Sequence, residues 1–195
     1  MSLEFFIHSC IEFGPLTLFF ILSFFSDFYV AALGLVIATL IALVGSIMRY
    51  RRFALFTFFT SAFILICGTA TVYFHDPRWI VIEYTLSNTI FACALLIGWW
   101  HNKPVLRNLF DHMFLISDRG WMILTFRWGV LFLVTAITNQ LFWEMYPDES
   151  SWALFRFVST IGAFIFGISQ FAVSRRERLP NSSPWGLRTN YLEAK

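Results

Sequence analysis

Hydrophobic and polar positions alternate along this chain in long blocks, not at the short periods of strands or of half-buried soluble helices. A helix needs about 20 apolar residues to cross the roughly 30 Å hydrocarbon core of a bilayer. Five blocks reach that length, at about 28–48, 53–74, 80–100, 121–143 and 152–173. Polar connectors separate them: Arg49-Tyr50-Arg51-Arg52, His75-Asp76-Pro77-Arg78, the stretch 101–120, and the acidic stretch 144–151. Tyr50, Trp79, Trp99, Trp100, Trp121, Trp143 and Trp152 stand at block ends, where an amphipathic ring suits the membrane–water interface. The pattern predicts an all-α, polytopic transmembrane helical bundle of five spans. It forms a single domain over 1–179, followed by a flexible tail over 180–195.

Two segments are less regular. Residues 5–25 are strongly apolar but contain His8, Glu12 and the Gly14-Pro15 pair, and Ser26-Asp27 then offers an N-cap for the span at Phe28. They form an N-terminal hydrophobic helix, interfacial or partly inserted; a sixth, Pro-broken crossing is the alternative. The basic n-region of a signal peptide is missing, since no Lys or Arg precedes Arg49, and no cleavage is expected. In the connector 101–120, Pro104 suits a first helical turn, and Leu106, Leu109, Phe110, Met113 and Phe114 follow at helical spacing. That reads as a short amphipathic helix on the membrane surface, with an ordinary loop as the alternative.

Composition agrees with the blocks. The chain has 195 residues, 58% hydrophobic and 13% charged, with 25 Phe and a mean hydropathy of +0.68. Soluble domains carry about 25% charged residues, and a soluble chain of this size has too much surface in water to hide so much apolar area. The net charge of +2 matters less than its distribution. Connectors 49–52 and 101–120 and the tail after Ser174 are rich in Lys and Arg; the other two connectors hold only Arg78. The basic segments alternate with the poor ones, so the positive-inside rule makes them, and the C-terminus, cytoplasmic.

Ionisable groups at membrane depth are costly and often functional. Asp27, Glu83, Asn139 and Arg156 fall near one level, about a turn from the outer surface, and form a candidate polar cluster with Glu83–Arg156 as its ion pair. Independent snorkelling of each side chain is the alternative. Arg127 lies about two turns in from the opposite face, within snorkelling reach. Arg49, Arg51, Arg52, Lys103 and Arg107 are candidate cytoplasmic contacts for anionic lipid headgroups. Small residues recur at four-residue steps as Gly34, Ala38, Ala42 and Ser46, and as Ser159, Ala163 and Gly167. Such stripes allow close helix approach; packing within the monomer is preferred, and a homo-oligomer stays open.

Signatures of catalysis are missing: there is no HExxH, GxSxG, P-loop or paired-carboxylate arrangement. His8, His75, His101 and His112 are spread over both faces, and Cys10, Cys67 and Cys93 lack ligand spacing. The expectation is a protein that is not an enzyme, with no cofactor and no metal. Topology accounts for the Arg clusters, so no nucleic-acid partner is expected.

Short motifs in a fixed order resemble the YciB family of bacterial inner-membrane proteins, also called intracellular septation protein A. The resemblance runs from about Phe13 to Pro180. It comprises Phe13-Gly14-Pro15-Leu16, Asp27-Phe28-Tyr29-Val30-Ala31-Ala32, the basic turn Arg49 to Arg52, Phe74-His75-Asp76, and Lys103-Pro104. Trp128 to Phe132 leading to Ala136 and Asn139 follow, then Trp152 with Phe155-Arg156. Around Glu83 the family tends to be basic, as Lys or Lys-Pro, and the tail beyond Pro180 is longer here than is usual. The resemblance implies a bacterial inner-membrane protein of five spans, acting in envelope biogenesis, envelope integrity and septation through contacts with envelope or division proteins; membrane lipids are expected as further partners. It implies no catalytic residue. A small-molecule or lipid transporter is the alternative function, and a membrane-embedded enzyme acting on a lipid intermediate is the third.

Overall fold

Four helices begin at a side chain suited to start them. A short polar side chain just before a helix accepts a hydrogen bond from an otherwise unsatisfied first-turn N–H. Asp27 Oδ1 accepts from the Tyr29 N–H at 3.1 Å, Asp76 Oδ1 from that of Arg78 at 2.9 Å, Ser117 Oγ from that of Gly120 at 3.1 Å, and Asp148 Oδ2 from that of Ser151 at 2.8 Å. The computed structural model describes the backbone over residues 3–50, 55–111 and 113–188, and side chains over 14–45, 61–111 and 113–188. The seven helices of that described part are α1 (Leu3–Phe25), α2 (Phe28–Tyr50), α3 (Leu55–Phe74), α4 (Arg78–Trp100), α5 (Val105–Phe110), α6 (Asp118–Met145) and α7 (Glu149–Arg176).

Four of them carry stretches long and apolar enough to cross a membrane: Phe28–Gly45, Arg78–Trp100, Asp118–Met145 and Glu149–Arg176. Gly14–Phe25 and Ser61–Phe74 are shorter apolar stretches. Helices α4, α6 and α7 begin two or three residues earlier than hydropathy places them, because their first turns are polar and held by the caps. Helix α1 is unbroken through Pro15 for 23 residues, about 34 Å at 1.5 Å per residue. The Gly14-Pro15 pair therefore neither stops nor breaks it; proline removes one hydrogen bond of the ladder, and the helix goes on to bury Phe19 and Phe20 in a core.

The chain forms two compact units. The first comprises 1–87 and 139–157, and the second 88–138 and 158–195. In the first unit α1 packs along α2, and α2 along α3. Its core contains Phe19, Phe20, Phe28, Ala31, Ala32, Leu35, Ile80, Val81, Trp143 and Trp152. Gly34 gives close approach here: a Cβ at that position would run into Leu22 Cδ1 of α1.

The second unit is built on Leu95, Leu106, Ile116, Trp121, Leu124 and Val173. Asn102, at φ 55°, ends α4 in a left-handed residue; the Lys103 N–H donates to Gly98 O at 2.8 Å and the Asn102 N–H to Trp99 O at 3.0 Å, a Schellman closure. The chain then returns as α5, which stops at Phe110. Leu106 is buried, whereas Leu109 and Phe110 are exposed, and Met113 and Phe114 lie beyond the helix. The amphipathic helix read from the sequence is therefore shorter. Residues 113–117 instead pair with the segment after α7: the Leu115 N–H donates to Gly186 O, that of Ser117 to Glu177 O, that of Leu179 to Leu115 O, and that of Arg188 to Met113 O. On the small-residue stripe of α7, Gly167 meets the Trp128 ring within this unit.

Three block-end tryptophans are packed inside the protein instead of on its surface. Trp121, Trp143 and Trp152 are buried at 2%, 9% and 0% exposure, while Trp79, Trp99 and Trp100 are exposed.

Candidate functional site

A buried polar layer occupies the first unit, about 8–11 Å along the axes from the ends of three helices. Glu83 stands five residues into α4, Arg156 seven into α7, and Asn139 six before the end of α6. Glu83 and Arg156 are 3% and 5% exposed, and Arg156 Nη2 lies 3.6 Å from Glu83 Oε2. Ser87, one turn along α4, donates its hydroxyl to Glu83 Oε1 at 3.0 Å. The Arg156 guanidinium carbon sits 4.6 Å from the centroid of the Tyr84 ring, 5.3 Å from that of Trp152 and 5.7 Å from that of Phe19. A guanidinium is planar and weakly hydrated, so ring faces compensate part of the solvation it loses.

Asn139 ties the layer together. Its amide donates to Val81 O at 3.1 Å and to Thr85 Oγ1 at 2.8 Å, and its carbonyl accepts from Trp152 Nε1–H at 2.8 Å. Trp152, whose ring lies against Arg156, therefore connects the amide to the ion pair. Glu83 with Arg156, and Asn139 with Val81, Thr85 and Trp152, are joined across helices, which rigidifies a polar network in a low-dielectric interior.

The sequence-predicted residues divide clearly. Glu83, Arg156 and Asn139 are brought together. Asp27 is not; it is exposed at the start of α2, where it caps the helix. Next to it the Tyr29 hydroxyl donates to the carbonyl of His75 at 2.9 Å. The partners Tyr84, Thr85, Ser87 and Trp152 were not among the candidates. Ser87 was reachable from its four-residue step to Glu83, and Trp152 from the same step to Arg156.

The basic candidates lie apart from this layer. In the second unit Lys103 is exposed, and Arg107 is held by Asp111 at 3.3 Å and by Asp118 at 2.7 Å. Arg127 is exposed on α6 and donates to Gln170 Oε1 at 3.3 Å. The side chain of Arg49 and the whole of Arg51 and Arg52 lie outside the described residues, as do the side chains of His8, Cys10, Glu12 and Ser46 and the whole of His112. Of the described cysteines, Cys67 and Cys93 are free thiols. Among the described residues no cluster of His, Cys, Asp and Glu could hold a metal ion.

Long apolar helices with a buried ion pair and a buried amide network define a multi-pass α-helical membrane protein. The sequence profile of the intracellular septation protein A family matches residues 7–179. The chain belongs to that family, and it is an inner-membrane protein. It is 30% identical over 166 residues to the inner membrane-spanning protein YciB of Bradyrhizobium sp. (strain ORS 278), covering 85% of this chain and 82% of the relative. To the inner membrane-spanning protein YciB of Yersinia pestis (strain Pestoides F) it is 31% identical over 147 residues, covering 75% of this chain and 81% of the relative. No solved structure matches the chain.

Proposed function

We propose that this protein serves cell-envelope biogenesis, envelope integrity and septation as a non-enzymatic inner-membrane protein, working through lipid or protein partners. The observation that carries this reading is the closed state of the polar layer. A transporter path would need such charges in contact with water; Glu83 and Arg156 are nearly inaccessible, and aromatic rings pack against the Arg156 guanidinium. Buried charges of this kind fit a structural element better than a conduit. The family name, intracellular septation protein A, supports the division half of the proposal.

The same proposal includes five spans, α2, α3, α4, α6 and α7, with the C-terminus in the cytoplasm. The ends of α2, α4 and α7 that carry Arg49, Lys103 and Arg175 then share one side, in accord with the positive-inside rule. Asp27, Asp76, Glu144, Asp148 and Glu149 fall on the other.

Photocrosslinking in native membranes tests the partner reading. A photoreactive residue at Ile82, exposed on α4 beside Glu83, is expected to capture identified envelope or division proteins. Capture of lipid alone, across cells at every stage of division, would count against it.

A further inference from the structure

Where α7 ends, the helix and the returning tail flank an open groove of about 630 Å³ in the second unit. Ile168, Phe171, Ala172 and Arg175 follow at three- and four-residue steps, so they form one stripe up the helix. Trp185 and Leu187 form the other wall. Ile168 and Arg175 stand about 10 Å apart along the axis. The groove is thus apolar toward the span and cationic at its outer end.

We propose that this groove binds one anionic phospholipid, with its phosphate on Arg175 and an acyl chain along Ile168, Phe171 and Ala172. Charge is the first argument. Arg107 and Arg188 are each engaged by carboxylates, whereas Arg175 has no carboxylate partner among the described residues and is exposed beside Trp185, its guanidinium carbon 5.6 Å from the ring centroid. It is the cation in the groove available to a phosphate.

Construction of the Trp185 wall is the second argument. The Gly186 N–H donates to Ser183 O at 2.9 Å, closing a turn, and Ser183 Oγ accepts from the N–H groups of Trp185 at 3.3 Å and Leu187 at 3.0 Å. Gly186, at φ 77°, takes a backbone shape that L side chains rarely adopt, and a Cβ there would lie 2.8 Å from Ser174 O. The turn therefore holds the indole in place, half exposed, at the level of the cation. An indole and an arginine above an apolar trough match the boundary between headgroup and acyl chain.

The proposal goes beyond the envelope role and is independent of which leaflet α7 ends in. Its test uses the full chain in vesicles of phosphatidylcholine containing a minor fraction of phosphatidylglycerol, with one or the other lipid brominated on its acyl chains to quench nearby indoles. The share of Trp185 is the difference from Trp185→Phe. Quenching of that share by brominated phosphatidylglycerol is expected to exceed, by about five-fold at equal mole fraction, that by brominated phosphatidylcholine, the size expected for one surface cation. Arg175→Gln should abolish the preference, Arg175→Lys should keep most of it, and Arg176→Gln should leave it intact. Equal quenching by the two lipids overturns the site, and so does an Arg176→Gln loss as large as that of Arg175→Gln, which means diffuse surface charge. Should Arg175→Gln fail to fold, competition by unlabelled phosphatidylglycerol against phosphatidylcholine on the unmodified protein decides the same question.

Discussion

Glu83 and Arg156 are separated by 73 positions in sequence; the sequence brings them to one level, where opposite charges lower each other's burial cost, and the tertiary structure makes them meet. Removing one partner leaves the other charge buried and uncompensated, a loss of about 3–5 kcal/mol. Glu83→Arg and Arg156→Glu should each lower the thermal midpoint in detergent, and the double reversal should recover part of the loss. A double variant as unstable as the worse single one would show that the contact contributes nothing. Asn139→Ala should cost about 1–3 kcal/mol, because Trp152 Nε1–H and Val81 O lose a partner at a buried position; unfolding in denaturant measures it. Asp27 stays outside the cluster for a physical reason. A short carboxylate next to a helix start is better satisfied by first-turn N–H groups than by descending into the bundle.

Helix boundaries depend on caps that hydropathy does not see. Hydropathy puts three starts at 80, 121 and 152, whereas the helices begin at Arg78, Asp118 and Glu149. Asp76, Ser117 and Asp148 carried that information in the sequence. Asp76→Ala should cost about 1 kcal/mol and fray the start of α4, read as faster amide exchange at Arg78. Asp148 gives a pH signature. The N–H and then the side chain of Ser151 hold its carboxyl below the ordinary Asp value. A depressed carboxylate stabilises the fold above its unfolded value, near pH 4, and the contribution disappears as the pH falls through the lower folded value. Protection of the Ser151 amide should therefore persist at pH 5 to 7, by this argument, and fade only below about 4. In the tail, Gly186→Ala should loosen the pairing with residues 113–117 through a strained residue worth about 1–3 kcal/mol. Limited trypsin digestion should then cut at Arg178 or Arg188 sooner than in the unmodified protein.

Across the whole molecule, connectors rich and poor in Lys and Arg alternate, which supports a cytoplasmic tail. With the tail in the cytoplasm, a green fluorescent reporter fused after Lys195 is expected to fluoresce and a phosphatase reporter to stay inactive; the reverse pair of results would invert the topology. Deleting the gene in its own host should delay septation and make the envelope leaky, with rescue by the unmodified chain. Normal division with a defect in uptake or export of a small solute would favour the transporter alternative instead.

By itself the sequence determined the class of this protein. Apolar blocks of bilayer length, separated by charged connectors, specify membrane helices because backbone groups in lipid must be satisfied within the segment. The ordered motifs likewise carried the family. Tertiary structure alone decided which polar groups meet. It buried Trp152 and made it the link from Asn139 to Arg156, left Asp27 on the surface, and folded residues 178–188 against 113–117. Those outcomes depend on how neighbouring helices turn about their own axes and on where the chain reverses. Hydropathy fixes depth along a helix and carries almost no information about rotation around it, most of all when nearly every side of the helix is apolar.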